Sequence, residues 1–284
     1  MYLKFFGLTD RPFSITPDVE YLYLGRQHEQ ALDTIMYGIK ERLGFSMLTG
    51  EVGMGKTILS RALLSRLDKR FETALLINPL LSVSELLKAI TEDFGLAVHS
   101  RSPQVLIDAL NRFLLKLADE ERNALVVIDE AQNLSIEALE TLRMLTNLET
   151  SKTKLLQILL VGQPELLKMV TSHGLRQLEQ RITTRYHLMP LTSVEMMRYI
   201  NHRICVAGGG GKLFFDPAAY KRIYSETKGY PRVINILCDR ALMAAYVRGS
   251  YVVDRTAVKA AILDWKGCTA PSPWRFFKRF VFSS

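Results

Sequence analysis

The run Gly50-Glu51-Val52-Gly53-Met54-Gly55-Lys56-Thr57 fits G-x-x-x-x-G-K-[ST] at every fixed position. Glycines let a backbone turn so that successive N–H groups aim inward at phosphate oxygens. A helix starting at the end of the loop adds the positive end of its dipole. In that chemistry Lys56 is a point charge for the outer phosphates, and Thr57 offers a hydroxyl to Mg²⁺. Asp129 follows Lys56 by 73 residues and closes the apolar run Leu125-Val126-Val127-Ile128, with Glu130 next. Asp129 can orient Mg²⁺ or its water, and Glu130 can polarise a water for in-line displacement at a γ-phosphate. Acids in such a place often only cap the next helix. Behind a phosphate loop and an intervening strand, the pair becomes specific. Gly208–Lys212 also ends in Gly-Lys, but a helix precedes it and Leu213 replaces the hydroxyl, so it reads as a connector.

These residues need a parallel sheet to bring them together. Short apolar runs at 45–49, 73–78, 124–128 and 155–161 read as strands, with a fifth, short one at 186–189. Ala124–Ile128 is entirely apolar, as a parallel strand covered on both faces must be. Helical periodicity fills 26–42, 56–67, 82–94 and 103–118. It continues on the leucine stripe 139, 142, 145 and 148, and at 164–171 and 174–183. Ser82 and Glu85 form a capping box, as do Thr192 and Glu195. Strands alternating with helices give an α/β, doubly wound parallel sheet of the P-loop kind. From Pro190 the strands stop, and helices at 192–205, 216–225, 232–247 and 254–265 predict a small all-α domain. The expected organisation is an irregular lead-in at 1–25, the P-loop α/β domain at 26–190, the helical domain at 191–266 and a tail at 267–284.

With 48% hydrophobic and 23% charged residues over 284 positions, the chain is ordinary for a folded protein, which excludes disordered and collagenous classes. Three well-separated cysteines without C-x-x-C argue against a disulfide framework or a zinc ribbon. The five histidines have no metal-ligand spacing. No G-x-S-x-G elbow or dinucleotide G-x-G-x-x-G is present. No apolar run has signal-peptide or membrane-spanning length, so a cytoplasmic protein is expected. Formal charge is +8, unevenly placed: residues 201–284 hold 14 Lys/Arg against 5 Asp/Glu, whereas 1–200 hold 23 against 24. The basic last third either faces an acidic partner or is a solvated surface. In the tail, Trp274, Phe276, Phe277, Phe280 and Val281 project to one side of a helix and Arg275, Lys278 and Arg279 to the other. That pattern suits an anionic membrane surface or a partner groove, and equally a solvated terminus.

Phosphate loop, carboxylate pair and trailing helices together resemble the AAA+ ATPases over roughly Tyr21 to Trp265. The resemblance implies ATP and Mg²⁺ as cofactors. It implies a nucleotide-binding set of Gly50, Glu51, Val52, Gly53, Met54, Gly55, Lys56, Thr57 and Ile58, with Thr57 and Asp129 at the metal and Glu130 as the catalytic residue that polarises the attacking water. Leu159-Leu160-Val161-Gly162-Gln163 occupies the place of the sensor-1 strand and puts Gln163 near the γ-phosphate, although the family usually has Asn, Ser or Thr there. Leu178 to Arg185 resembles the arginine-finger segment, with Arg181 the first choice and Arg185 the second. Gly229-Tyr230-Pro231-Arg232 resembles the sensor-2 motif, whose Arg232 reaches the phosphates. Charge spread over a transferring phosphoryl calls for such cations. Tyr23, Leu24 and Arg26 lie near the adenine on this reading, or simply pack. A finger acting between copies implies a homo-oligomer, a hexameric ring in most of the family.

Within the AAA+ proteins the chain is similar to the ExeA/GspA group of secretion ATPases and to the related ATPases of mannose-sensitive haemagglutinin (MSHA) pilus biogenesis. The likeness is carried by Phe5-Phe6-Gly7-Leu8, Arg11-Pro12-Phe13, Thr16-Pro17-Asp18, Tyr23-Leu24, Asp129 to Leu134, Leu148-Glu149, Gly162 to Leu166 and Cys238 to Leu242. Larger members continue into a membrane span and a periplasmic peptidoglycan-binding part, so the expected counterpart is the short pilus-type member. The resemblance implies pilus or secretion assembly proteins at the inner membrane as partners, with the tail touching an anionic membrane surface. The alternative is a DNA-associated ATP switch of the transposition-helper or replication-initiator kind, which the basic last third favours. A nucleotide-binding scaffold without turnover is a third reading.

Overall fold

The computed structural model describes residues 2–77, 79–147, 154–209 and 211–267. The amphipathic tail, Cys268 and the Leu148-Glu149 pair lie outside the described residues. In chain order the elements are α1 (Tyr2–Phe6), α2 (Arg26–Lys40), β1 (Phe45–Gly50), α3 (Lys56–Ser65), β2 (Phe71–Ile77), α4 (Val83–Asp93), α5 (Pro103–Asp119), β3 (Asn123–Asp129) and α6 (Ile136–Leu145). They continue with β4 (Leu156–Gly162), α7 (Pro164–Val170), α8 (Arg176–Glu179), β5 (Ile182–Leu188), α9 (Ser193–Val206), β6 (Phe214–Phe215), α10 (Pro217–Thr227), α11 (Pro231–Val247), β7 (Val252–Val253) and α12 (Arg255–Trp265). Over the described residues the chain forms two compact units, Leu24–Met189 and a second made of residues 2–23 with 190–267.

The first unit is an α/β layer fold on a five-stranded parallel sheet of order β2-β3-β4-β1-β5. β1 and β4 are buried along their whole length, and β3 in all but its first residue. Central parallel strands roofed by helices on both sides require this. Phe45, Met47, Val126, Ile128, Ile158 and Leu160 meet Leu86, Leu110, Leu139 and Leu142 in one core. Ser82 and Glu85 close the capping box at the start of α4. The segment expected to be helical to 183 turns to strand at Ile182. β5 is an edge strand whose burial alternates, with Ile182, Thr184 and Leu188 inward and Thr183 and Arg185 outward. Its polar outward face hides the strand from any search for apolar runs.

The second unit is helical. The capping box of Thr192 and Glu195 starts α9. Met196, Ile200, Ile223, Leu237, Leu242, Val258 and Ile262 form its core. Strands do not stop at Pro190: β6 and β7 pair in parallel through two residues each, Phe214 with Val252 and Phe215 with Val253. Residues 2–23 are irregular over 7–18 but carry a helix and core residues. Tyr2–Phe6 is helical, and Tyr2, Phe6, Leu8, Phe13 and Tyr21 belong to the helical unit's core. The Tyr2 hydroxyl donates to Asp239 (2.6 Å), and burial followed by that bond raises its pKa. Buried Arg203 donates to the carbonyls of Pro12 and Ser14 and lies over the Tyr21 ring. Among the described residues no helix is long and apolar enough to cross a membrane.

Candidate nucleotide site

Strand order fixes the site before any side chain is considered. The carboxyl ends of β3, β4 and β1 lie side by side, with β4 in the middle. Register places Thr49 opposite Gly162, and Ile128 opposite Leu160. The loop after β1, the acids after β3 and Gln163 after β4 therefore open onto one crevice, where ligands bind in open α/β sheets.

In the loop, Gly53 (φ 78°) and Gly55 (φ 90°) take left-handed conformations that cost glycine little. Met54 is fully buried and anchors the turn, while Val52 is exposed. Gly55 is the N-cap of α3 and supplies no side-chain cap. The first N–H groups of a helix have no partner within it, and an anion satisfies them. Lys56 is 5% exposed, and its Nζ donates to the carbonyls of Gly50 (2.8 Å) and Glu51 (3.1 Å). Burial lowers its pKa, against the opposing charges of Glu130, Asp129, Glu51 and Glu165. A desolvated ammonium on the first turn of a helix fits a polyanion such as a triphosphate.

Asp129 is 2% exposed. Its Oδ2 accepts from Thr57 Oγ1 (2.5 Å) and its Oδ1 from the Glu130 N–H (3.0 Å). A hydroxyl and a carboxylate held this close are the hard oxygen donors Mg²⁺ uses when water and phosphate complete its shell, so the donor set fits that ion. Glu130 sits in the left-handed region (φ 54°, ψ 40°), and the 3₁₀ turn Ala131–Asn133 follows it. Its Oε2 accepts from Gln132 Nε2 (2.6 Å) and Gln163 Nε2 (3.1 Å). Burial pushes its pKa up, but those two amides and the Lys56 charge outweigh burial and hold the carboxyl below its ordinary range.

The structure thus brings Lys56, Thr57, Asp129, Glu130 and Gln163 together in one unit. It does not bring the candidate fingers to the phosphate loop of their own chain. Phe45 pairs with Ile182 and Gly50 with Leu188, so Arg181 precedes β5 at the opposite edge of the sheet, about 16 Å away along the strand. Arg181 Nη1 makes long contacts to the Arg143 carbonyl (3.5 Å) and Thr146 Oγ1 (3.4 Å). Arg185 is tied into its own segment through the Glu179 carbonyl (2.7 Å) and carboxylate (3.8 Å). Arg232 is exposed on the first turn of α11, in the helical unit. Tyr23 packs against Tyr199 and His202 in that unit, and Arg26 opens α2. Sequence reasoning missed two neighbours of the site. Buried His28, on the first turn of α2, has its Nε2 3.9 Å from where a Cβ on Gly55 would lie. No spacing rule links a histidine on a preceding helix to the loop. Gln132 carried only family likeness, and the signal for it was an amide two residues past the acid.

The fold and these motifs define a P-loop α/β domain of the AAA type followed by a helical part, and residues 39–170 match the family model described as AAA domain. The chain is 42% identical over 276 residues to General secretion pathway protein A of Aeromonas hydrophila, covering 97% of this chain and 50% of that protein. The chain therefore spans about half the length of the curated relative it matches. The same fold occurs in the ORC2 protein of Aeropyrum pernix, solved as ADPNP-ADP complexes, with a TM-score of 0.64 and 20% identity over 89% of this chain and 71% of that one. Cdc6p of Pyrobaculum aerophilum gives 0.62 and 17% over 87% and 68%, and Drosophila ORC bound to DNA gives 0.63 and 16% over 92% and 67%.

Proposed function

We propose that this chain is an AAA+ ATPase of the secretion group, binding ATP with Mg²⁺ and hydrolysing it to drive or regulate assembly of a secretion machinery or a type IV-type (MSHA) pilus at the inner membrane. One observation carries the chemistry: a buried lysine, a Thr–Asp oxygen pair and an oriented glutamate share one crevice at three adjacent strand ends. The 42% identical secretion relative supports the biological setting.

On this reading the Gly50–Ile58 loop binds the phosphates through backbone N–H groups, and Lys56 exchanges its two carbonyl partners for phosphate oxygens. Thr57 and Asp129 hold Mg²⁺, which neutralises charge on the phosphates when bound. Glu130 orients a water and accepts its proton at a carboxylate oxygen. Gln163 borders the γ-phosphate, Arg232 is the sensor-2 candidate for phosphate binding, and Arg181 of a neighbouring copy supplies the finger. Arg181 is favoured over Arg185 because its own contacts are long and easily released.

Nucleotide binding and hydrolysis by the full chain, Lys56→Ala and Glu130→Gln test the reading. Lys56→Ala should lose binding. Glu130→Gln should bind normally and turn over about 10²–10⁴-fold more slowly. Wild-type turnover no faster than either variant would sink the enzymatic claim. The basic last third favours a second reading, a DNA-associated ATP switch. Steeply salt-sensitive, ATP-dependent binding of duplex DNA would favour it. Sedimentation with anionic liposomes, lost on deleting 271–284, would favour the membrane-facing one.

A further inference from the structure

Glu130 is held by two amides, and one of them is engaged at both ends. Gln132 Nε2 donates to Glu130 Oε2 (2.6 Å), while its Oε1 accepts from the backbone N–H of Gln163 (3.0 Å). The amide lies across the end of β4, where a Cβ on Gly162 would come within 2.8 Å of Gln132 Oε1. Only the missing side chain of Gly162 leaves that space. Gln163 Nε2 converges on the same Glu130 oxygen (3.1 Å). We propose that Gln132 is a positioning residue that ties the Glu130 carboxylate to the end of β4 and so decides which carboxylate oxygen faces the reacting water.

The physical case starts at the backbone. A glutamate at φ 54° is in a sparsely populated region costing about 1 kcal/mol or more, and it persists only where surroundings hold it. A side chain with several rotatable bonds on that backbone has no fixed direction of its own. Two N–H donors on Oε2 give it one. They also occupy Oε2, so the oxygen turned to the water is Oε1. In the step this serves, the water oxygen bonds to the γ-phosphorus as the bond from that phosphorus to the bridging oxygen breaks, and ADP leaves with the electron pair. The water's proton passes to Glu130 Oε1. The inference rests on the hydrolysis reading above, but the bridge exists without nucleotide.

Gln132→Ala, Gln132→Asn and Gln132→Glu in the full chain separate positioning from structure. Partners that orient a reacting group are worth about 10–100-fold when removed. Gln132→Ala should lower kcat by about that factor with nucleotide affinity and melting temperature unchanged. Gln132→Asn, too short to reach both ends, should not restore kcat. Gln132→Glu, which replaces the donor with a like charge, should be at least as slow. Hydrogen exchange at the Gln163 backbone N–H in the nucleotide-free protein gives a readout independent of turnover, and Gln132→Ala should speed it. Unchanged exchange, an unchanged kcat, or losses that track melting temperature would each overturn the bridge. Absent wild-type turnover together with faster exchange would sink the hydrolysis reading and leave the bridge standing.

Discussion

Thr57 is the residue where binding chemistry and folding chemistry meet. Its hydroxyl donates to Asp129 Oδ2, and Asp129 is 2% exposed. A buried acceptor deprived of its donor costs about 1–3 kcal/mol. Thr57→Ala should therefore lower nucleotide-free stability by about 1–2 kcal/mol in urea unfolding and remove the Mg²⁺-dependent part of ATP binding. Thr57→Ser, which keeps the hydroxyl, should restore both. A destabilised Ser variant would mean that the threonine methyl, not the hydrogen bond, is what Asp129 needs. At this scale the sequence is highly informative where chemistry fixes spacing: a phosphate loop tolerates little variation, so Gly50 to Thr57 is readable by pattern alone. Gln132 and His28 are not, because their contacts depend on how strand ends and a preceding helix are juxtaposed, which no local pattern encodes.

Elements are legible when their own periodicity decides burial and illegible when a remote partner does. The all-apolar β3 and the helical stripe of α5 announce themselves, since both faces of the one and a single face of the other must be covered. Helix α1 does not. Tyr2 and Phe6 are buried against residues more than 200 positions on, Asp239 in α11 for the one and Tyr251 for the other. The edge strand β5 alternates polar and apolar residues, so its first half looks like loop or helix. Caps are the opposite case, being local and strong. Asp254 caps α12 by accepting from the Ala257 N–H (2.8 Å), and it pairs with Arg248 through two bonds of 2.7 and 2.9 Å. The Arg248 bonds, chiefly, depress its pKa from 3.8 to about 2 against some desolvation, with the cap helping. A depressed carboxylate stabilises the fold fully above its unfolded pKa and loses that contribution as pH falls through the folded one. Asp254→Ala should cost about 1 kcal/mol at neutral pH. The gap from wild type in urea midpoints should narrow as pH is lowered from 5 towards 2.5, and a constant gap would mean the aspartate acts by shape rather than charge.

The proposed arginine finger has to be judged against the sheet register. Arg181 precedes the strand whose far end, Leu188, pairs with Gly50, so one chain cannot place both its loop and its own Arg181 at one phosphate. On the proposed reading Arg181 serves a second copy's site, and repeated head-to-tail contacts of that kind would close into a ring. Two single defects then lie in different halves of each composite site. Arg181→Ala keeps an intact loop and acids but donates no finger. Glu130→Gln donates a finger but cannot activate water at its own site. Each alone should hydrolyse ATP slowly, since a finger is worth about 10³–10⁵ in turnover. Mixed in equal amounts and allowed to exchange, they should recover about a quarter of wild-type activity, the share of sites with Arg181→Ala acids and a Glu130→Gln neighbour. Wild-type specific activity should also rise with protein concentration and plateau. No recovery on mixing, with both variants folded and exchanging, would put the catalytic cation elsewhere, and Arg185 in the same mixing scheme would be the next to test.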